Sequence, residues 1–177
     1  MKVGKNYFPK SSFLSTEKDY AVIMKKILGN QDLLKMLYYT QKDCRQAPDL
    51  TDAQIMSLVD TKIKLVPKLE IDESCPIYII VSLDNFRPNV RNPEFRDCSL
   101  IFYVFCHPDH WNLGNFQLRP QKIIGELDEM FNEKKMTGIG TPHLSLSKNL
   151  VMNDQLMGMM SIYKVIHGVE DQIDPLS

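Results

Sequence analysis

Cys98–Cys106 reads CSLIFYVFC, His107–Leu118 reads HPDHWNLGNFQL, and Arg119–Phe131 reads RPQKIIGELDEMF. These three patterns, side by side, decide the fold. The apolar run from Leu100 to Cys106 is too short for a helix and is rich in strand formers. The next twelve residues mix Pro, Asp, Asn and Gly with aromatics, as a structured loop does. Ile123, Ile124, Leu127, Met130 and Phe131 then recur at helical spacing, with Pro120 where a first-turn proline is tolerated. Strand, loop and amphipathic helix make a scaffold.

Working outward, Pro76–Leu83 (PIYIIVSL) predicts a strand before Arg96–Cys106, with the loop Asp84–Asp97 between them. After the helix Arg119–Glu133, the Gly138–Gly140 break is followed by two more strands. In His143–Val151, Leu144, Leu146 and Leu150 are expected on one side; Leu156–His167 pairs with it across a turn at Asn153–Asp154. Upstream, Thr16–Leu28 has Glu17 and Asp19 at its positive end and a stripe of Tyr20, Ile23, Met24, Ile27 and Leu28. Gly29-Asn30 reads as a left-handed stop. A shorter helix is predicted from Asp32 to Tyr39. Thr51 and Gln54 form a capping-box pattern opening a third helix that runs on before Pro67.

The order is therefore α-α-α-β-β-α-β-β. It predicts an α+β fold with a mostly antiparallel four- to five-stranded sheet packed by helices. Residues 1–15 read as an N-terminal arm with docking aromatics Tyr7, Phe8 and Phe13, residues 16–168 as one domain, and residues 169–177 as a C-terminal tail. The expected core includes Ile79, Val81, Leu100, Phe102, Val104, Ile123, Leu127, Met130, Ile162 and Val165.

With 177 residues, 44% of them hydrophobic, the chain can build one ordinary core. A net charge of −1 lacks the basic excess of an electrostatic nucleic-acid binder. The charge is uneven, with nine Lys or Arg against five Asp or Glu in the first fifty residues and Glu170, Asp171 and Asp174 at the end. Cys44, Cys75, Cys98 and Cys106 have no C-x-x-C spacing and read as free thiols of a reducing cytoplasm. No apolar run approaches the about 18 residues of a membrane span.

Candidate chemistry is sparse. Cys106, His107, Asp109 and His110 form the one cluster of metal-type ligands, and a small metal- or thiol-dependent enzyme using Cys106, His107 and His110 is an alternative reading. His107-Pro108-Asp109 also matches the signature of J-domain co-chaperones, but that motif joins two helices and here a strand precedes it. No nucleophile elbow, phosphate loop or dinucleotide fingerprint is present. The expectation is no enzyme, no catalytic metal and no cofactor. Trp111 and Phe116 in one loop, and Arg87, Arg91 and Arg96 in the other, are candidate contact residues, with His107 and His110 beside them. A DNA-binding accessory module using the basic N-terminal segment and the three arginines is a further alternative, weakened by Asp84, Glu94 and Asp97.

From Ile77 to Gly168 the chain resembles the tail-completion or tail-terminator proteins of tailed bacteriophages. The likeness rests on F-C-H-P-D-x-W (Phe105–Trp111) and L-R-P-Q-K-I-I-G-E-L-D-E-M-F-N (Leu118–Asn132), followed by a glycine turn and two strands. It implies a structural virion protein at the head–tail junction, assembled in the host cytoplasm. Such a subunit forms a homo-oligomeric ring, commonly six around the tail axis, that caps the tail tube protein and meets head-completion or connector proteins. Passing DNA would cross the ring lumen without stable binding. The N-terminal helical third is longer than in small members of that family, so a neck or connector adaptor on a related fold stays open.

Overall fold

The apolar alternation of the strands and the stripes of the helices meet in one sandwich of helices on a sheet. The computed structural model describes residues 12–65, 76–151 and 156–167. The turn at Asn153–Asp154, Cys75, Tyr7 and Phe8 of the arm, and the tail lie outside these residues.

Three helices come first: α1 (Thr16–Leu28), α2 (Gln31–Tyr38) and α3 (Asp52–Leu58). A single 3-10 turn, Phe13–Ser15, leads into α1, with the Ser12 side chain accepting from Leu14 N. The stop after α1 differs from the sequence expectation. Gly29 keeps a right-handed φ of −86°, and Asn30 ends the segment by capping α2, its side chain accepting from Leu33 N at 2.9 Å. The reciprocal Thr51–Gln54 capping box opens α3 as its residues predict. That helix stops at Leu58, well before Pro67, because the chain turns through Asp60 (φ 62°) into β1 (Ile63–Lys64).

The remaining strands are β2 (Ile77–Pro88), β3 (Arg96–Cys106), β4 (His143–Val151) and β5 (Met157–His167), with α4 (Arg119–Phe131) between β3 and β4. The sheet order is β1-β2-β3-β5-β4. β1 lies parallel to β2 and the other pairs are antiparallel, so the sheet is mixed. The loop expected over Asp84–Asp97 is shorter, since the strands run on to Pro88 and resume at Arg96.

On the helix-side face, Ile77, Ile79, Val81 and Leu83 of β2 and Leu100, Phe102, Val104 and Cys106 of β3 are buried against Ile23, Ile27, Leu33, Leu37, Ile123, Leu127 and Phe131. Phe102 meets Phe131 with ring centroids 5.0 Å apart. Eight of the ten expected core residues are buried there and Met130 is half-buried against them, whereas Ile162, half-buried, lies on the opposite face beside Ile101. On the opposite face Tyr78, Ile80, Phe105 and Leu156 form a second buried cluster.

A register shift between Leu144 and Leu146 changes β4. Leu144 pairs with Tyr163 on the helix side, whereas Leu146 pairs with Ile162, Lys148 with Met160 and Leu150 with Gly158 on the far side. The three leucines therefore do not share a face, because one extra residue in a strand of period 2 flips every side chain beyond it.

Candidate contact surfaces

The two loops singled out in the sequence sit at opposite ends of β3, about 33 Å apart for an eleven-residue strand. At the first end, Asn89 builds the β2–β3 turn. Its side chain donates to Asp97 Oδ1 at 2.6 Å and accepts from the amides of Arg91 (3.0 Å) and Asn92 (2.9 Å). The tip this creates exposes Val90 at 94%. Arg87 and Arg91 are exposed beside it. Arg96 points elsewhere, its guanidinium 4.4 Å over the ring of Phe13, which packs edge-on against Phe86. Arg96 thus ties the entrance of α1 to the sheet.

At the second end, Pro108–His110 forms a 3-10 turn and a tight hairpin comes after it, closed by Leu113 N to Gln117 O at 3.0 Å. Gly114, Asn115 and Phe116 have φ of 84°, 48° and 61° in succession. Two consecutive non-glycine residues in the left-handed region cost backbone energy, and Phe116 is fully exposed at 106%. Trp111 turns the other way. It is half-buried against the main core, and its Nε1 donates to Cys106 O at 2.9 Å.

His107 and His110 are half-buried, with ring centroids 6.2 Å apart, and His107 Nδ1 accepts from the Asp109 amide. The Cys106 side chain faces the core, and burial pushes its thiol up to about 12 against the opposing pull of the Arg119 charge. Among the described residues, no three His, Cys, Asp or Glu side chains converge as metal ligands.

Beneath this loop sits a residue that sequence reasoning passed over. Arg119 is wholly buried, and its guanidinium donates to five carbonyl oxygens: His110 (2.8 Å), Met36 (2.7 Å), Tyr39 (2.8 Å), Thr40 (2.9 Å) and Gln41 (2.8 Å). Its own amide donates to Trp111 O at 2.7 Å. One side chain thereby closes the C-terminal end of α2 and holds the aromatic loop to it. The available signal was an arginine in the first turn of α4, where the helix dipole disfavours a cation.

A second buried pair joins α1 to the end of β5, with His167 Nε2 2.7 Å from Asp19 Oδ2. Burial raises the Asp19 carboxyl while His167 pulls it back. Gly138 lies so close that an added Cβ would overlap the Asp19 carboxylate. Cys98, nearby, has its thiol pushed up to about 12 by burial and then by the charges of Asp19 and Asp97.

The sheet edges differ. β2 is closed by β1 over Ile79 and Ile80, by the Tyr20 hydroxyl accepting from Leu83 N at 2.9 Å, and by Asp84 accepting from Asn85 N. Among the described residues, β4 is closed only at its start, where Asn132 Oδ1 accepts from Leu144 N at 3.0 Å. Nearly all of β4 is exposed on both faces, with Leu144 and Leu146 at 45% and 44%. A groove of about 790 Å³ opens beside its first residues, walled by Asn85, Arg87, Gly140, His143 and Lys164. No helix among the described residues is long and apolar enough to cross a membrane.

No curated protein matches this chain. Among solved structures, the fold is similar to a chain from the virion of a native gene transfer agent particle. That match has a TM-score of 0.55 at 7% identity and covers 88% of this chain and 98% of the other. At that identity the likeness is one of fold. The family model that matches over residues 30–165, spanning α2 to β5, is YomW, and the chain belongs to the YomW family.

Proposed function

We propose that this protein is a structural virion subunit of a phage-type particle, a ring-forming tail terminator or tail-completion protein at the head–tail junction. The observation that carries the reading is the pair of apolar tips, Val90 and Phe116, at opposite ends of one rigid strand. A subunit that must touch a tail tube on one side and a connector on the other needs a contact loop at each end of a stiff scaffold. The residues Phe105–Trp111 and Leu118–Asn132 support it by resembling tail terminators, and a fold shared with a chain of a gene transfer agent virion supports it independently. Head-to-tail contacts around a closed axis would generate the ring, six copies being the expectation.

Two measurements test this. The purified chain should have the mass of a closed ring by native mass spectrometry. Removing it from a phage that carries it should leave filled heads and tails that fail to join, or tails of irregular length. Normal infectious particles without the protein would overturn the reading. Tails of irregular length beside intact necks mark a terminator, whereas tails of normal length beside incomplete necks mark a neck adaptor.

A further inference from the structure

We infer that the open edge of β4 is a docking site for the acidic C-terminal segment, residues 169–177, of a neighbouring copy of this chain, which adds a strand to the sheet. This contact rests on the ring reading and is the one that closes the ring.

The fold treats its two edges unequally. β2 carries three devices that block strand addition: a short parallel partner, a hydroxyl from α1 on Leu83 N, and a left-handed bulge at Asn85 (φ 57°). From Ser145 to Val151, by contrast, the outward backbone groups of β4 have no partner among the described residues. An exposed edge of this length that also shows leucines is a template for another strand.

Side chains select the occupant. Beyond its bulge, β4 presents Leu146, Lys148 and Leu150 on one face, apolar–basic–apolar at a spacing of two. The C-terminal segment reads Val169, Asp171, Ile173 at the same spacing, apolar–acidic–apolar. With Asp171 opposite Lys148, both apolar residues fall beside leucines whichever way the strand runs, and cross-strand pairs of these types are favourable. There is no acidic residue on β4 or β5, and His143 and Lys164 extend the basic character. The N-terminal arm, with Lys2, Lys5 and Lys10, has the wrong sign. Pro175 lies just past the matched stretch and would end it.

Distance makes the donor a second copy. β5 ends at His167, beside the start of β4, while Lys148 pairs with Met160. Seven residues of strand separate those levels, about 23 Å, and the outer edge of β4 lies about 10 Å to the side of β5. The four residues from His167 to Asp171 span about 14 Å at most. A chain therefore cannot place its own Asp171 against its own Lys148.

The test uses full-length chains carrying Cys75→Ser. The donor variant adds Gln172→Cys. Two acceptor variants add Ser147→Cys, which faces the donor thiol in an antiparallel pairing, or Asn149→Cys, which faces it in a parallel one. Mixed with the donor under mild oxidation, one acceptor should give a disulfide between chains of the two kinds, resolved by mass. Separately, Lys148→Asp and Asp171→Lys should each lower ring occupancy at fixed concentration, and the double variant should restore it. Circular dichroism on each variant checks the fold. No inter-chain disulfide in either mixture, or a ring that survives deletion of residues 169–177, overturns the inference while leaving the ring reading intact. A full chain that stays monomeric at all concentrations overturns both.

Discussion

Arg119 Nη1 donates to the carbonyl oxygen of Met36 at 2.7 Å, joining the first turn of α4 to the last turn of α2 across 83 residues of sequence. The bond is one of five that the buried guanidinium makes to carbonyl oxygens, with Cys44 Sγ as a further acceptor at 3.3 Å. A cation with no carboxylate partner among the described residues is tolerated there because each carbonyl lies at the open end of a helix or turn, where the partial charge is negative.

Arg119→Ala should therefore destabilise the chain by about 3 kcal/mol or more, since several buried carbonyls lose their donor at once. Arg119→Lys should recover only part of this, because three rotatable donors cannot meet five acceptors arranged around a planar fork. Urea denaturation of the two variants checks the order. Equal midpoints for Lys and the parent would show that the fork geometry is irrelevant.

Gly158 sits opposite Phe105 in the β3–β5 ladder, and a Cβ there would run into the Val104 carbonyl. The obstacle is backbone, so nothing can swing aside. Gly158→Ala should cost about 1–3 kcal/mol, in the range of overpacking a well-filled site. Gly125, on the exposed side of α4 with open space around it, is the control: Gly125→Ala should raise stability by about 1 kcal/mol. Thermal unfolding of both variants should shift in opposite directions.

Much of this scaffold was legible from residue pattern. The run from Leu100 to Cys106 is apolar at every position because β3 is central and buried on both faces, and the capping box at Thr51 is a purely local signal. What could not be read depends on partners distant in sequence. β1 is two residues long and exists only because β2 lies beside it. The bulge after Leu144 is set by pairing with β5, so it separates three leucines that look equivalent in sequence. Asp19 and His167 lie near opposite ends of the chain, and Asp19 resembles an ordinary first-turn acid in sequence, whereas in the fold it is buried against His167. Among the contact residues, the exposure of Phe116 and the inward turn of Trp111 go with three left-handed residues that composition alone does not announce.

Burial raises the thiols of Cys98 and Cys106 to about 12 and raises the Tyr163 hydroxyl as well. In the unfolded chain the thiols ionise at about 8.5 and tyrosine at about 10. Above about pH 9 the folded state therefore holds more protons than the unfolded one, and stability falls as pH rises. The denaturation midpoint should begin to drop at about pH 8.5, where the unfolded thiols ionise, and continue to drop toward about pH 12, where the folded thiols do. Because Cys44 is buried as well, a Cys75→Ser chain should show almost no thiol reactive toward Ellman's reagent at neutral pH, and all of its remaining thiols once denatured. A fast-reacting thiol in the native Cys75→Ser chain would contradict this placement.

Trp111 and Phe116 lie in one loop but should fail in different ways. Trp111→Phe keeps most of the packing and loses the bond to Cys106 O, a cost of about 1 kcal/mol. Trp111→Ala also empties part of the core margin and should cost about 3 kcal/mol. Phe116→Ala removes a side chain that is fully exposed in the isolated subunit, so stability should stay within about 0.5 kcal/mol. Phe116→Gly should even raise it, because glycine relieves the left-handed strain. If the loop end is a contact face, both Phe116 variants should weaken association with tube or connector, by about 2 kcal/mol for an anchor aromatic. Trp111→Phe should leave association close to the parent value. Denaturation midpoints and particle-joining yields, measured on the same four variants, separate the roles. Full joining activity in both Phe116 variants would remove this tip from the interface.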